Sequence, residues 1–209
     1  MLFVFKWSLT VGILVWAVVA VGRGYKNAQM RTLNHLLPHS YDCLTQMMEN
    51  HGVCSEKDLK NYAWYYQTVI ALMPVNAEAY AMLGFCYDQL HRDNEAVAAY
   101  RKAVALNGNF FWHHYNLGGV LWKKRDYQEA GKEFKRALQT DPKATVAILY
   151  SSKIYSDILR GIGQEHYDVA ASLKNGYRNA YYFAALALKA SATPSTPNPA
   201  SKLFRVQFF

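Results

Sequence analysis

The chain has 209 residues, enough for one sizeable domain with appended segments and too few for two large domains. Its formal net charge is +8, but the Lys and Arg residues form no run typical of nucleic-acid binding, so we expect no nucleic-acid partner. The three cysteines, Cys43, Cys54 and Cys86, make no disulfide framework, which favours a reducing compartment and leaves open whether Cys43 and Cys54 pair.

The N-terminal segment is apolar from residue 2 to residue 22, apart from Lys6, Ser8 and Thr10. About 20 residues at helical rise span a bilayer core, and Lys6 lies near enough to one end to reach the headgroups. Residues 1–22 are therefore predicted to be a transmembrane signal-anchor. A cleavable signal peptide is the alternative, because small residues near the end of the segment could form a cleavage site.

The charges that flank this segment bear on its orientation. Lys6 and the amino terminus lie at its N-terminal end, whereas Arg23, Lys26 and Arg31 follow it. The excess of positive charge on the C-terminal side favours a cytoplasmic location for the rest of the chain. A periplasmic or lumenal location is the alternative. Residues 23–40 are assigned to a juxtamembrane connector.

Two amphipathic patterns follow in residues 41–75, and each predicts a helix. At the start of the second pattern, Ser55 and Asp58 stand three residues apart, as in a capping box. This helix is predicted to cover roughly residues 56–73 and to end at Pro74.

One pattern occurs twice between residues 77 and 143, at a spacing of 34 residues. A period of this length indicates stacked helix pairs. Only Gly or Ala lets the backbones of two crossing helices approach closely, and larger apolar residues then fill the seam between them. The residues predicted to pack this seam are Leu83, Gly84, Tyr87, Ala96, Tyr100 and Ala103, followed by Leu117, Gly118, Ala130, Phe134 and Ala137.

This pattern resembles the tetratricopeptide repeat, which reads aromatic-x2-Leu-Gly-x2-Tyr, then Ala-x3-Phe, then Pro. His114 stands where the family prefers an aromatic residue, and Gly108 stands where it prefers Pro. The resemblance implies an all-α fold, a right-handed α-solenoid of antiparallel helix pairs preceded by a single transmembrane helix. It places repeats at 76–109 and 110–143, with a divergent unit at 41–75.

The sequence after the second repeat predicts two further segments. Residues 144–175 are expected to form a degenerate unit of the same kind, and Asn175-Gly176 is expected to turn the chain. Residues 176–192 are apolar but too short to cross a bilayer, so they are predicted to form a capping or docking helix. This helix is either buried in the array or docked on a partner or the membrane surface.

The last segment, residues 193–209, begins as a Pro/Ser/Thr spacer that cannot be helical. It ends in an aromatic tail, which we predict inserts into a partner or adds a strand to a sheet edge. A disordered end is the alternative. The tail residues predicted to dock are Phe204, Val206, Phe208 and Phe209.

The sequence contains no pattern that predicts catalysis or metal binding. It has no Gly-rich phosphate loop, no Cys-x-x-Cys and no His-Glu-x-x-His motif. His113 and His114 are adjacent on a helix and therefore point in different directions, so they are not expected to chelate a metal jointly. We expect neither an enzyme nor a cofactor nor a small-molecule substrate.

The resemblance also implies a binding surface, because first-helix side chains line the concave face of the family's arrays. Large aromatic residues at positions not needed for helix crossing are suited to anchor partner peptides. The alternative is that these aromatics pack against neighbouring helices of the same chain. The predicted protein-binding groove consists of Glu78, Phe85, Asp88, Gln89, Trp112, Tyr115, Trp122 and Lys123.

These features together predict a membrane-anchored protein that binds other proteins. The anchor, the apolar helix and the aromatic tail favour an accessory, scaffold or assembly subunit of a membrane protein complex, with other subunits of that complex as partners. The alternative function is that of an exported, soluble, chaperone-like binder released by removal of a signal peptide.

Overall fold

The computed structural model describes residues 54–162 and 168–192, which form eight α-helices and no strand. The predicted all-α class is confirmed for these residues. The helices are α1 (Glu56–Leu72), α2 (Ala77–Gln89), α3 (Asp93–Leu106), α4 (Phe111–Lys123), α5 (Tyr127–Gln139), α6 (Pro142–Ser151), α7 (Lys153–Ile162) and α8 (Val169–Ala192).

Several predicted segments lie outside the described residues. They are the signal-anchor at 1–22, the connector at 23–40, the first part of the unit at 41–75, and the tail at 193–209 with its four docking residues. Within the part of the chain that the structure describes, no helix combines the length and the apolar character needed to cross a bilayer.

Side-chain caps define the starts of several helices. Ser55 accepts a hydrogen bond from the backbone N–H of Asp58 at 3.1 Å, and its hydroxyl donates to the Asp58 carboxylate at 2.6 Å. Asn76 caps α2 by accepting from Ala79 N–H at 2.8 Å, and Asp126 caps α5 in the same way. These bonds satisfy backbone donors that the first helical turn leaves free. The predicted helix start with Ser55 as its N-cap is confirmed, and the Asp58 carboxylate bonds the Ser55 hydroxyl.

In the seam between the two helices of each pair, a glycine packs against an aromatic ring. A Cβ placed on Gly84 would lie 3.0 Å from ring atoms of Tyr100, and a Cβ on Gly118 would lie 3.0 Å from the ring of Phe134. Each ring therefore fills the space that a side chain would need. The other predicted seam residues are also buried: Leu83, Tyr87, Ala96, Ala103, Leu117, Ala130 and Ala137.

Consecutive helices from α1 to α5 pack on one another, as expected for stacked pairs. The order changes after α5. The short helix α6 ends at Ser151, and Ser152 adopts an extended conformation that interrupts the helix. Helix α7 then crosses back to contact α2. The helix that packs along α5 is α8, which runs antiparallel to it, because Tyr177 bonds Thr140 and Ala187 adjoins Gly131.

The predicted turn at Asn175-Gly176 is wrong, because α8 continues through these residues as a single helix of 24 residues. Asn-Gly is a turn signal, but here Gly176 faces Phe111 and Trp112, and its missing side chain lets α8 approach them closely. Residues 144–175 therefore do not form a helix pair stacked on α5. They contain α6, α7 and the first turns of α8.

We expect Gly84→Ala and Gly118→Ala each to lower the free energy of unfolding by about 1 to 3 kcal/mol, since the added methyl group must displace a buried ring. At an unconstrained helical position the same change would stabilise the protein by about 1 kcal/mol. Urea unfolding measures the effect, and Ser151→Ala at an exposed position serves as the control. Stabilisation by either glycine variant would contradict the close contact.

Candidate protein-binding groove

The four aromatic residues of the predicted groove lie inside the protein core. Phe85 is 2% exposed, Trp112 and Tyr115 are 1% exposed, and Trp122 is fully buried. This corrects the expectation that they line an open surface. The structure instead agrees with the alternative, in which these aromatics pack against helices of the same chain.

Helix α8 covers the α4 side of this cluster. The ring of Tyr177 stacks on Phe111 at a centroid distance of 4.4 Å, and Phe183 packs edge-on against Trp122 at 5.5 Å. Phe183 also stacks on Phe134, so it contacts both helices of the second pair. Residue 176 must be glycine here, since a Cβ would lie 2.6 Å from the Trp112 ring. Helix α8 thus fills the place that a further first helix would occupy.

The predicted groove residues Asp88, Gln89 and Lys123 bind one another. Lys123 Nζ donates to both carboxylate oxygens of Asp88, at 2.7 and 2.8 Å, and Gln89 donates to the same carboxylate at 3.1 Å. Burial raises the pKa of Asp88 in spite of the nearby Lys123 charge. This pair joins α2 to α4, so neither charge is left to bind a partner. Glu78, the remaining polar groove residue, is half-buried.

His114 takes the place of the usual aromatic residue by joining a buried polar network. Its Nδ1 lies 2.7 Å from a carboxylate oxygen of Glu133, and its Nε2 lies 3.1 Å from the carbonyl oxygen of Gly108. Arg136 donates to the other carboxylate oxygen of Glu133. Burial acts to raise the pKa of Glu133, but His114 and Arg136 lower it overall. The network links α4 to α5.

His113 connects α4 to α7. Its Nδ1 lies 3.0 Å from the carbonyl oxygen of Asn107 and its Nε2 lies 3.2 Å from the Tyr155 hydroxyl. Burial lowers the pKa of His113 to about 4, so the ring is neutral near pH 7. The neutral ring donates from Nδ1 to Asn107 and accepts at Nε2 from Tyr155. No local pattern in the sequence pointed to these partners, which lie 6 and 42 residues away in the chain.

Three buried polar atoms at the pair seam and the groove have no hydrogen-bond partner. They are the indole nitrogens of Trp112 and Trp122 and the hydroxyl of Tyr100. An unmet buried donor costs roughly 1 to 3 kcal/mol. Two of these three atoms are N–H donors of the aromatic core between α4 and α8. Across residues 54–162 and 168–192, no group of three His, Cys, Asp or Glu side chains is arranged to hold a metal ion.

The tetratricopeptide repeat family model matches residues 77–110 and 114–144, which correspond to α2–α3 and α4–α5. These matches agree with the two repeats that the resemblance predicted. Two solved structures match the chain, described as "Crystal structure of MamA protein" and "Crystal structure of MamA". Both are 15% identical to this chain, cover 84% and 81% of it and 90% and 92% of their own chains, and have TM-scores of 0.41 and 0.40. No curated protein matches the chain.

We expect Gly176→Ala to detach α8 from the second repeat, because the new methyl group would overlap the Trp112 and Phe111 rings. Exposure of the tryptophans would shift their fluorescence to longer wavelength, and limited proteolysis would cleave within α8. Lys174→Ala, at an exposed position of the same helix, is the control. Unchanged fluorescence and protease resistance in Gly176→Ala would show that α8 does not pack here.

The buried His113 is expected to make the protein less stable in mild acid. Because burial lowers its folded pKa to about 4 from the ordinary 6.5, its contribution is present above about pH 6.5 and lost as the pH falls toward 4. The loss is about 3 kcal/mol when complete.

His113→Phe, which cannot be protonated, should show a flatter dependence of unfolding free energy on pH between 7 and about 4. Parallel curves for the two proteins in urea unfolding would contradict the assignment.

Proposed function

We propose that this chain is a membrane-anchored interaction protein that serves as an accessory, scaffold or assembly subunit of a membrane protein complex. The observation that carries the proposal is the pair of tandem tetratricopeptide repeats, since arrays of this family bind other proteins. The predicted anchor at residues 1–22 would hold the array beside its partners.

The proposed binding site is the inner face of α2 and α4, where the predicted groove residues lie. Two features support a site that helix α8 covers and that a partner occupies when α8 is displaced. The indole N–H groups of Trp112 and Trp122 have no acceptor, which an extended peptide backbone would supply. The covering helix α8 packs on α4 and α5, and its displacement by a partner would expose these indole groups.

The proposed location of the array is an oxidising compartment: the periplasm, a secretory lumen or the cell exterior. Cys54 is disulfide-bonded, whereas Cys86 is free and buried. This bond supports the proposal, since stable disulfides are rare in the cytosol. The cytoplasmic location, expected from the excess of positive charge at Arg23, Lys26 and Arg31, stays a prediction that the same experiments test. The exported soluble binder remains the second candidate, since the same bond favours it equally.

We predict that full-length protein purified from its native membranes in mild detergent retains residues 1–22. We also predict that other membrane proteins co-purify with it in fixed stoichiometry. Intact mass measures the first point and quantitative mass spectrometry the second. Alkylation before and after reduction should show that Cys54 becomes reactive only after reduction. A clipped chain that comes down alone would contradict the subunit proposal and favour the exported binder.

A matched pair of charge reversals tests whether the partner uses the groove. Glu78→Lys changes a half-buried groove residue, and Glu95→Lys makes the same change on the exposed side of α3. Loss of co-purification in the first variant alone is expected. Equal effects of both variants would place the partner elsewhere.

A further inference from the structure

The outward face of α8 is the exposed end of the described array, and its composition is unusual for such an end. Tyr181 is 72% exposed, Leu188 is 64% exposed and Tyr182 is 52% exposed. These side chains point away from the buried row that includes Gly176, Phe183 and Ala187. A terminal helix normally presents a polar outer face to keep the array soluble, and this one presents aromatic and aliphatic groups.

The same face is positively charged. Helix α8 contains Lys174, Arg178 and Lys189 and no Asp or Glu among its 24 residues. All three cations are exposed, and no ion pair is described for Lys174 or Arg178. In contrast, Lys132 and Arg136 on the neighbouring α5 are paired with Glu129 and Glu133. Helix α8 itself therefore supplies no anion to balance Lys174 and Arg178.

The cations lie between the apolar groups rather than at their edges. With 3.6 residues per turn, Leu188 and Tyr181 fall on one side of the exposed sector and Tyr182 on the other, with Lys174 and Arg178 between them. A partner helix seated on this face would bury both cations in the centre of its seam, which is costly unless each is paired. The hydrated headgroup layer of an anionic membrane accepts cations and aromatic rings side by side, and so it fits this arrangement better.

We propose that this face of α8 docks on an anionic membrane surface, with the helix lying parallel to the headgroups. Tyrosines are suited to the headgroup level, and each cation adds attraction to anionic lipid. The proposal requires neither the anchor nor the groove, and so it holds for an anchored or a released chain.

Two segments of this chain that could cover the face do not fit. A second copy of α8 would bring the same three cations and no anion. The tail at 193–209 contains Lys202 and Arg205 and no Asp or Glu. Neither segment supplies the negative charge that an anionic lipid surface offers.

The test uses full-length protein with a bimane probe on Leu188→Cys, mixed with vesicles that contain a spin-labelled lipid as quencher. Cys86 is buried and Cys54 is disulfide-bonded, and labelling of the unsubstituted chain, which also contains Cys43, is measured in parallel and subtracted. We expect quenching with phosphatidylcholine vesicles that include phosphatidylglycerol, and little with phosphatidylcholine alone. The same probe on Val75→Cys, which is 78% exposed between α1 and α2, should not be quenched in either.

Neutralising variants separate this face from general charge attraction. The double variant Lys174→Gln with Arg178→Gln should raise the lipid concentration needed for half-maximal quenching about thirtyfold. This corresponds to a loss of about 1 kcal/mol of binding free energy for each cation. Arg101→Gln with Lys102→Gln removes the same charge from the exposed side of α3 and should have little effect.

Three results would overturn the proposal. They are no quenching at residue 188 in anionic vesicles, equal quenching in both lipids, and equal weakening by the two double variants. If the bimane at residue 188 is not quenched by lipid, and a protein cross-links to this face in native membranes, the face binds a protein partner instead. The intact mass of the labelled chain reports separately on whether residues 1–22 are present, so failure of the anchor is distinguished from failure of this docking surface.

Discussion

The contact on which the repeat structure depends is that of a glycine with the flat face of an aromatic ring. Gly84 lies against Tyr100 and Gly118 against Phe134, and in each case even one methyl group would need the space that the ring occupies. This contact sets the separation of the two helices in a pair. It recurs after 34 residues, so the second pair repeats the geometry of the first, and the two pairs stack with their first helices side by side. The inner face of α2 and α4 is a consequence of that stacking.

What lies on the inner face is decided by the chain after α5. A third pair stacked on α5 would have extended the groove, but α6 is too short and breaks at Ser152, and α8 takes the place on α5 instead. The aromatic cluster of α4 is closed by Tyr177 and Phe183 from α8, while Tyr155 from α7 reaches His113. Any partner that uses this face must compete with the chain's own helices. Its apparent affinity is then reduced by the fraction of molecules in which the face is open.

The sequence was sufficient for the repeats and for the start of α1, because both depend on local or periodic signals. A fixed period reveals Gly84, Gly118 and their partners, and a three-residue spacing reveals the N-cap at Ser55. The remaining features depend on contacts between residues far apart in the chain. Asp88 and Lys123 were both predicted as groove residues, yet no local signal shows that they neutralise each other. His114 stands where the family prefers an aromatic residue, and its partner Glu133 lies on the facing helix. At Asn175-Gly176 a strong local turn signal is overridden by tertiary packing against Trp112.

The central claim is that α8, rather than α6, packs along α5 and closes the groove. Cysteine cross-linking tests it directly, because the two arrangements bring different residues to position 131. An ideal Cβ on Gly131 lies 3.1 Å from that of Ala187, so a shift of roughly 0.5 Å between the helices brings the two atoms to the separation found in disulfides. Gly131→Cys with Ala187→Cys should therefore form a bond under mild oxidation, and Gly131→Cys with Ala147→Cys, which tests α6, should not. Cross-linking of the second pair in place of the first would show that α6 continues the array and that the account of a self-closed groove is wrong.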